Sequence, residues 1–403
     1  MFFLFLLGFI TLAVTVSQLY SFTRMCRYVE DALRKPEPTY LPKLAVILPC
    51  KGLDPGFSEN MRKLLEQDYR LDGKAQFEVV FAVATSDDPA YPALLKVCED
   101  TPSVPSRVVV AGINPQRAQK LNNQLEALKQ LSPDVEAIAF VDSDVIARPD
   151  FLRYLVGGLA ETDTGATTGY RFYIPYRGDA ASMIRSVWNR LSAWEMASPK
   201  YCFAWGGAMA IKKEIFEKAK VAQHWDRSAD DDLSLTTAVK DLGLKVRFIP
   251  HCLVASHGDG DWAEVLEWTN RQLILTKVYY PQLWVRAIVR ACIMATWLIA
   301  VLVTAALSIA SPDPIFKWSL LTGLSVLLVE IFFLMKGQKL WQLVLPPDRA
   351  ADLEASSLRF MMALPLAHLA LPWMTLYSVC TNRIQWRGVT YELRSPSEIV
   401  VIA

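Results

Sequence analysis

Charge is missing from the first 22 residues, MFFLFLLGFITLAVTVSQLYSF, and about 20 apolar residues are what a helix needs to cross the hydrocarbon core of a bilayer. No basic residue precedes this run and no small-x-small site follows it, so it reads as an uncleaved anchor and not as a signal peptide. Two more apolar runs, from about Ala287 to Ala310 and from about Ile315 to Met335, are separated by the turn-forming Ser311-Pro312-Asp313-Pro314 and predict a helical hairpin. A fourth run, Leu358 to Cys380, is long enough to span but contains Pro365 and Pro372. Proline removes a helical hydrogen bond and kinks the helix, so a bent or re-entrant segment is expected there.

Arg24, Arg27, Arg34 and Lys35 follow the first run, and an excess of Lys and Arg beside a span marks the cytoplasmic side. Strict alternation would put the segment after Cys380 outside, yet it carries Arg383, Arg387 and Arg394. A re-entrant last run with a cytoplasmic C-terminus reconciles the two. The expected organisation is a transmembrane helix at 1–23, a cytoplasmic domain at 40–260, an amphipathic interfacial segment at 261–285, membrane helices at 286–381 and a cytoplasmic tail at 382–403. The seven cysteines are scattered with no C-x-x-C pair, which argues against a zinc site or a disulfide framework. A net charge of +1 with no basic block argues against a nucleic-acid partner.

From Leu44 the chain alternates short β-rich runs with amphipathic ones, the pattern of an α/β domain. Strands are predicted at 44–50, 77–84, 106–112 and 137–145, and helices at 57–67, 91–99 and 119–130. A parallel sheet built this way holds its ligand at the carboxyl ends of the strands, so Asp88 and Asp142 are expected to reach one crevice.

Three acidic clusters mark that crevice: Asp87-Asp88, Asp142-Ser143-Asp144 and Asp230-Asp231-Asp232. Aspartate at a strand end is often only a turn former. The middle cluster stands out because a strand would deliver Asp142 and Asp144 to one side at period two, where both could meet one divalent cation. Magnesium or manganese bridging a diphosphate needs few protein ligands, since water and phosphate supply the rest. The third cluster precedes a helix pattern closed by Gly243, where acidic caps are common for structural reasons. Upstream of it lies Trp205-Gly206-Gly207-Ala208, where backbone can approach a ligand closely. Downstream, His251 and His257 border the region and are lone histidines, more often structural or substrate-contacting than metal-binding.

The motifs PCKGLDP (49–55), TSDDPAY (85–91), INPQRAQKLNN (113–123), VDSD (141–144), WGGAMAIKKEIF (205–216), DDDLSLTTAVKDLG (230–243) and IQWRGVTYELR (384–394), in this order, resemble the ceramide glucosyltransferase family. The resemblance implies a nucleotide-diphospho-sugar-binding GT-A fold with membrane helices on both sides of it. It also implies transfer of a hexose, glucose first, from a UDP-sugar to a lipid hydroxyl, with inversion and with Mg2+ or Mn2+. Carried over by residue, it places Lys51, Asp88, Asp142, Gly206, Asp231 and Arg271 at the nucleotide-sugar. Asp142 and Asp144 fall at the metal, and Asp232 is the base that takes the acceptor proton. A metal neutralises a leaving diphosphate and a carboxylate in hydrogen-bond reach activates a weak alcohol nucleophile.

One motif departs. The family carries Gln or Arg, two variable residues, then Arg-Trp before its C-terminal membrane helices; here Arg271 is present and Ile274-Leu275 replace the pair. Trp268, Arg271 and Lys277 are the candidates to compensate. A processive polysaccharide synthase shares the carboxylates but needs the missing pair and more membrane helices, and a non-catalytic membrane scaffold could keep the same fold. A transporter fits less well, because the apolar runs hold few ionisable residues. Glu330 is the exception and is expected to pair with a neighbouring helix or to face the catalytic domain.

Overall fold

The computed structural model describes residues 2–310 and 314–402. Helix α1 (Phe2–Arg34) leads into β1 (Leu44–Pro49), α2 (Phe57–Leu65), the short strands β2 (Arg70–Leu71) and β3 (Lys74–Ala75), β4 (Phe77–Val83), α3 (Ala90–Asp100), β5 (Ser106–Val110), α4 (Gln119–Leu128) and β6 (Ala137–Val141). Next come α5 (Phe151–Gly157), β7 (Thr164–Tyr173), α6 (Ala180–Ser192), β8 (Ala208–Lys212), α7 (Lys213–Lys218), α8 (Val221–Trp225), α9 (Asp232–Asp241) and β9 (Lys245–Ser256). Five helices follow: α10 (Trp262–Tyr279), α11 (Pro281–Ala310), α12 (Pro314–Gln342), α13 (Pro347–Ala355) and α14 (Ser357–Cys380). Strands β10 (Arg383–Trp386), β11 (Val389–Ser395) and β12 (Glu398–Val401) close the chain.

The main sheet has seven strands in the order β5-β4-β1-β6-β8-β7-β9. The first four are parallel, β8 runs against both its neighbours, and β7 and β9 are parallel to each other. This is the α/β architecture expected from the alternating pattern. Side chains alternate faces along a strand, and both faces of β1 are apolar: Ala45 and Ile47 join the core under α4, α6 and α9, while Leu44, Val46 and Leu48 join the core under α2, α3 and α5. Burial on both faces is why these strands read as unbroken hydrophobic runs.

Three helices are long and apolar enough to cross a membrane: Pro281–Ala310, Phe316–Gln342 and Ser357–Cys380. Helix α1, expected as a span over 1–23, continues unbroken to Arg34 and is not among the three found in the described residues. Its second half is docked on the domain. Met25 and Val29 are fully buried, Tyr28 donates its hydroxyl proton to the Phe248 carbonyl, and Arg24 lies 4.0 Å from Glu195. The turn residues Ser311, Pro312 and Asp313 lie outside the described residues.

In the last apolar run α14 is one continuous helix of 24 residues with Pro365 and Pro372 inside it. Trp188 of α6 donates to its Ala367 carbonyl, and within the helix the Thr375 hydroxyl donates to the carbonyl of Pro372. Glu330 has the partner anticipated for it, since His368 of α14 lies 3.1 and 3.2 Å from its two carboxylate oxygens. The segment read as a tail folds into an antiparallel sheet, β10-β11-β12. Ile384, Tyr391, Leu393 and Ile399 belong to the same apolar core as the main domain.

Candidate functional site

The carboxyl ends of the parallel strands open into a cavity of about 710 Å³, within the range that holds nucleotides and drug-sized ligands. At one end it is lined by Lys51, Lys120, Asp142, Asp144, Gly206 and the aspartates 230 to 232; at the other by Ala287, Ala291 and Met294 of α11 and by Leu371 and Thr375 of α14. The two ends belong to one continuous space.

Strand β6 stops at Val141, four residues before its expected end, so Asp142 and Asp144 sit in the following turn and not on one strand face. Asp142 donates its backbone N–H to the Gly207 carbonyl, which pins the turn to the start of β8. The two carboxylates then go to different cations. Lys120, in the first turn of α4, places its ammonium 2.9 Å from Asp142 Oδ1 and 2.9 Å from Asp231 Oδ2. Arg171 of β7 donates two hydrogen bonds to Asp144, at 2.5 and 2.6 Å, the bidentate geometry that makes such pairs strong. Its guanidinium also lies over the Trp205 ring, 5.0 Å from the centroid. Burial and the neighbouring Asp144 and Asp231 push the Asp142 carboxyl up despite Lys120. Burial would raise Asp144 too, but Arg171 outweighs it and holds that carboxyl below its usual range.

The third cluster divides its work. Asp230 is 4% exposed and accepts the backbone N–H groups of Leu233 and Ser234, so it caps α9. Asp231 accepts from the Gln124 amide and pairs with Lys120. Asp232 faces the cavity and accepts the Gly206 N–H at 2.7 Å and the Leu233 N–H at 2.7 Å. Burial, and then the charge of Asp231, raise its carboxyl to about 6. A carboxylate so tuned is a base near neutral pH. A Cβ at Gly206 would come within 2.8 Å of an Asp231 oxygen and 2.9 Å of the Lys120 ammonium, so a larger residue there would displace that ion pair.

Asp88 is not among the residues lining the cavity. Its Oδ1 accepts the N–H groups of Gly52 and Ala90, each at 2.9 Å, and so ties the turn after β4 to the loop after β1. The expectation that Asp88 and Asp142 share the crevice therefore holds for Asp142 alone. His251 stacks on Tyr154 and His257 on Tyr176, both away from the cavity lining.

The departing motif resolves in the same way. Ile274 is fully buried and Leu275 is 8% exposed, both in the apolar core. Lys277 is spent on the carbonyls of Ser378 and Thr381 at the end of α14. Trp268 and Arg271 do line the cavity, and Arg271 donates to the Gln385 carbonyl and lies 5.9 Å from the Trp386 ring centroid. Trp386 and Arg387 of the terminal sheet line it as well. Sequence reasoning missed Lys120, Arg171, Trp386 and Arg387. Lys120 stood inside a quoted motif and Arg387 inside another, but nothing local says which lysine or arginine turns inward.

For a divalent cation, Asp142 is the fitting ligand, since it lines the cavity and only its Oδ1 is engaged by Lys120. Asp144 is the second carboxylate in reach, with both oxygens held by Arg171. Among the described residues no three His, Cys, Asp or Glu side chains form a ready cage; a diphosphate-bridging ion needs only one or two carboxylates.

A mainly parallel sheet whose carboxyl edge gathers paired aspartates around a nucleotide-sized cavity is the GT-A architecture of sugar-nucleotide transferases. The profile described as Glycosyl transferase family 21 matches residues 4–399, and the chain belongs to that family of enzymes. A curated relative, a ceramide glucosyltransferase from Gibberella zeae, is 27% identical over 134 residues, which cover 30% of this chain and a quarter (25%) of the relative's length. Among solved structures, the mannosyltransferase PcManGT from Pyrobaculum calidifontis, in complex with GDP-Man and Mn2+, is similar over 93% of this chain and 96% of its own, with 19% identity and a TM-score of 0.48. Glucosyl-3-phosphoglycerate synthase from Mycobacterium tuberculosis, in complex with Mg2+ and uridine-diphosphate, is similar over 62% and 82%, with 13% identity and a TM-score of 0.37.

Proposed function

We propose that the protein transfers a hexose, glucose first, from a UDP-sugar to the hydroxyl of a membrane lipid, with inversion at the anomeric carbon. The observation that carries this reading is the continuity of the cavity: Asp232 and the apolar side chains of α11 and α14 line one space. An acceptor with its tails among Ala287, Ala291, Met294 and Leu371 can reach Asp232 with its hydroxyl. A soluble acceptor needs no such path.

Asp232 takes the hydroxyl proton as the acceptor oxygen attacks the anomeric carbon, and the bond from that carbon to the diphosphate oxygen breaks to release UDP. A single displacement turns an α-linked donor into a β-glycoside. Lys51, Asp88, Gly206, Asp231 and Arg271 belong to the donor side of the site, Asp88 by holding the loop that carries Gly52. Asp142 would hold Mg2+ or Mn2+, with Asp144 as the second carboxylate in reach. The ion supplies neutralisation of the charge that develops on the leaving diphosphate. Asp231 and Lys120 keep Asp232 poised by setting the charge around it.

The ceramide glucosyltransferase relative supports a sphingolipid base as the first acceptor to try. The three apolar helices support a multi-pass membrane protein, and Arg24, Arg27, Arg34 and Lys35 support a cytoplasmic catalytic domain. The test is product analysis after incubating detergent-purified protein with Mg2+ or Mn2+, a panel of UDP-sugars and a membrane lipid extract. A new glycolipid that disappears with Asp232→Asn establishes the reaction; no product from any UDP-sugar rejects it. Short soluble alcohols serving as well as lipids would reject the membrane route.

A further inference from the structure

The donor end of the cavity carries aspartates 142, 144, 231 and 232, and a donor adds a diphosphate to that negative field. Most of the cations beside it are already committed. Lys120 bridges Asp142 and Asp231, Arg171 grips Asp144 through both nitrogens, and Arg271 lies against Trp386 with Glu267 3.8 Å away. The Lys51 ammonium donates to the Arg387 carbonyl. Arg387 differs from these. One guanidinium nitrogen donates to the Lys51 carbonyl at 2.6 Å, and the other meets, among the described residues, no carboxylate but Asp54, at 3.4 and 3.5 Å, longer than the 2.7–2.9 Å of a tight charge-assisted bond. Its side chain is 45% exposed.

The backbone points the same way. Trp386 pairs with Val389, so Arg387 and Gly388 are the two central residues of the β10–β11 turn, and both have positive φ, 47° and 82°. Such turns favour Asn-Gly or Asp-Gly because the left-handed region is unfavourable for a side chain without a short polar group. An arginine at the first central position costs stability, and the turn would be easier to form without it. Residues held in a sparsely populated conformation cluster at ligand sites, where the side chain's use outweighs its local cost. The turn is also tied to the carboxyl end of β1, since Arg387 donates to the Lys51 carbonyl at 2.6 Å while Lys51 donates back at 2.8 Å. That edge is where a parallel sheet holds its ligand.

Resting on the donor reading above, we propose that the β10–β11 turn is the diphosphate clamp of this enzyme, with the Arg387 guanidinium contacting the donor's phosphate oxygens and Trp386, backed by Arg271, walling the donor in. The guanidinium fork suits phosphate. The clamp lies at the far end of the chain from the aspartates it completes.

The test exploits the turn's geometry. Arg387→Gly fits positive φ better than arginine, which offsets the lost bond to the Lys51 carbonyl, so its thermal midpoint should stay close to that of the wild type, and unchanged uridine binding shows that the site is still folded. UDP and uridine are titrated calorimetrically into the full-length protein with Mn2+. Arg387→Gly should weaken UDP binding about tenfold or more and leave uridine binding within twofold, since loss of a charge-assisted contact acts on the phosphates alone. Arg387→Lys should recover part of the loss. Arg383→Ala, on the same sheet but paired with Glu392 and outside the cavity lining, should bind UDP like the wild type. Unchanged UDP affinity in Arg387→Gly, or an equal loss for UDP and uridine, overturns the clamp alone. Wild-type protein that binds neither UDP nor uridine overturns the donor reading, and the clamp with it.

Discussion

The acidic edge of the large sheet and the tip of the terminal hairpin face one cavity but are held there in opposite ways. The aspartates come from the turn after β6 and the start of α9, and each has fixed partners: Lys120 for Asp142 and Asp231, Arg171 for Asp144, and the Gly206 and Leu233 amides for Asp232. The hairpin brings its cation on an exposed two-residue turn, held by a bond to the Lys51 carbonyl and one long ion pair to Asp54. Groups that act on a reacting bond gain from burial, which tunes their charge and fixes their aim. A group that grips and then frees a leaving diphosphate is better carried on an exposed turn, whose side chain can move while the strands behind it stay packed in the core.

The sharpest test of this contrast is Asp232→Asn. It should lower kcat by about 10²–10⁴-fold while UDP affinity stays within about threefold, read from glycolipid formation and calorimetry. An unchanged rate would move the protein to the scaffold reading. Next, Lys120→Met leaves Asp142 and Asp231 without their shared cation, and breaking such a buried pair should cost about 3–5 kcal/mol, read as a lower unfolding midpoint. A neutral result would mean the acidic edge is less rigidly paired than its geometry indicates.

The third test is a pH profile. With Asp232 raised to about 6, the active carboxylate form is lost as pH falls through that value, so the rate should drop about tenfold per unit below it. Asp231→Asn removes the like charge that helps raise Asp232, so the acid limb should move to lower pH. The smallest effect belongs to the outer side of the hairpin sheet. Arg394→Ala breaks exposed pairs with Glu392 and Glu398 and should change stability by about 0–1 kcal/mol with no change in UDP affinity. A large effect there would erase the distinction between the two regions.

Much of the fold could be read from the chain, because its strands are buried on both faces and their runs LAVILP, FEVVFAV and AIAFV announce themselves without partners. Gly243 and the acidic start of α9 likewise mark that helix. The aspartates could be named, but not their roles: the three adjacent residues 230 to 232 cap a helix, pair with a lysine and face the cavity, and local spacing does not separate these. That α14 continues through Pro365 and Pro372 as one helix, supported by Trp188 and by the Glu330–His368 pair, rests on contacts with other elements that the run itself does not show.

The same division runs through the whole molecule. Hydrophobic periodicity and the apolar runs set the alternating strands, the crevice at their carboxyl ends and the membrane-length helices, because the pattern of apolar residues fixes which faces must be buried, even where the pairing strands lie far apart, as β1 and β6 do. The choice of partners belonged to tertiary structure alone: which cation meets which aspartate, and that residues 386 and 387 return to a loop near residue 51. Those pairings join residues up to 336 positions apart, and only the packing of both cores brings such distant side chains within a few ångströms.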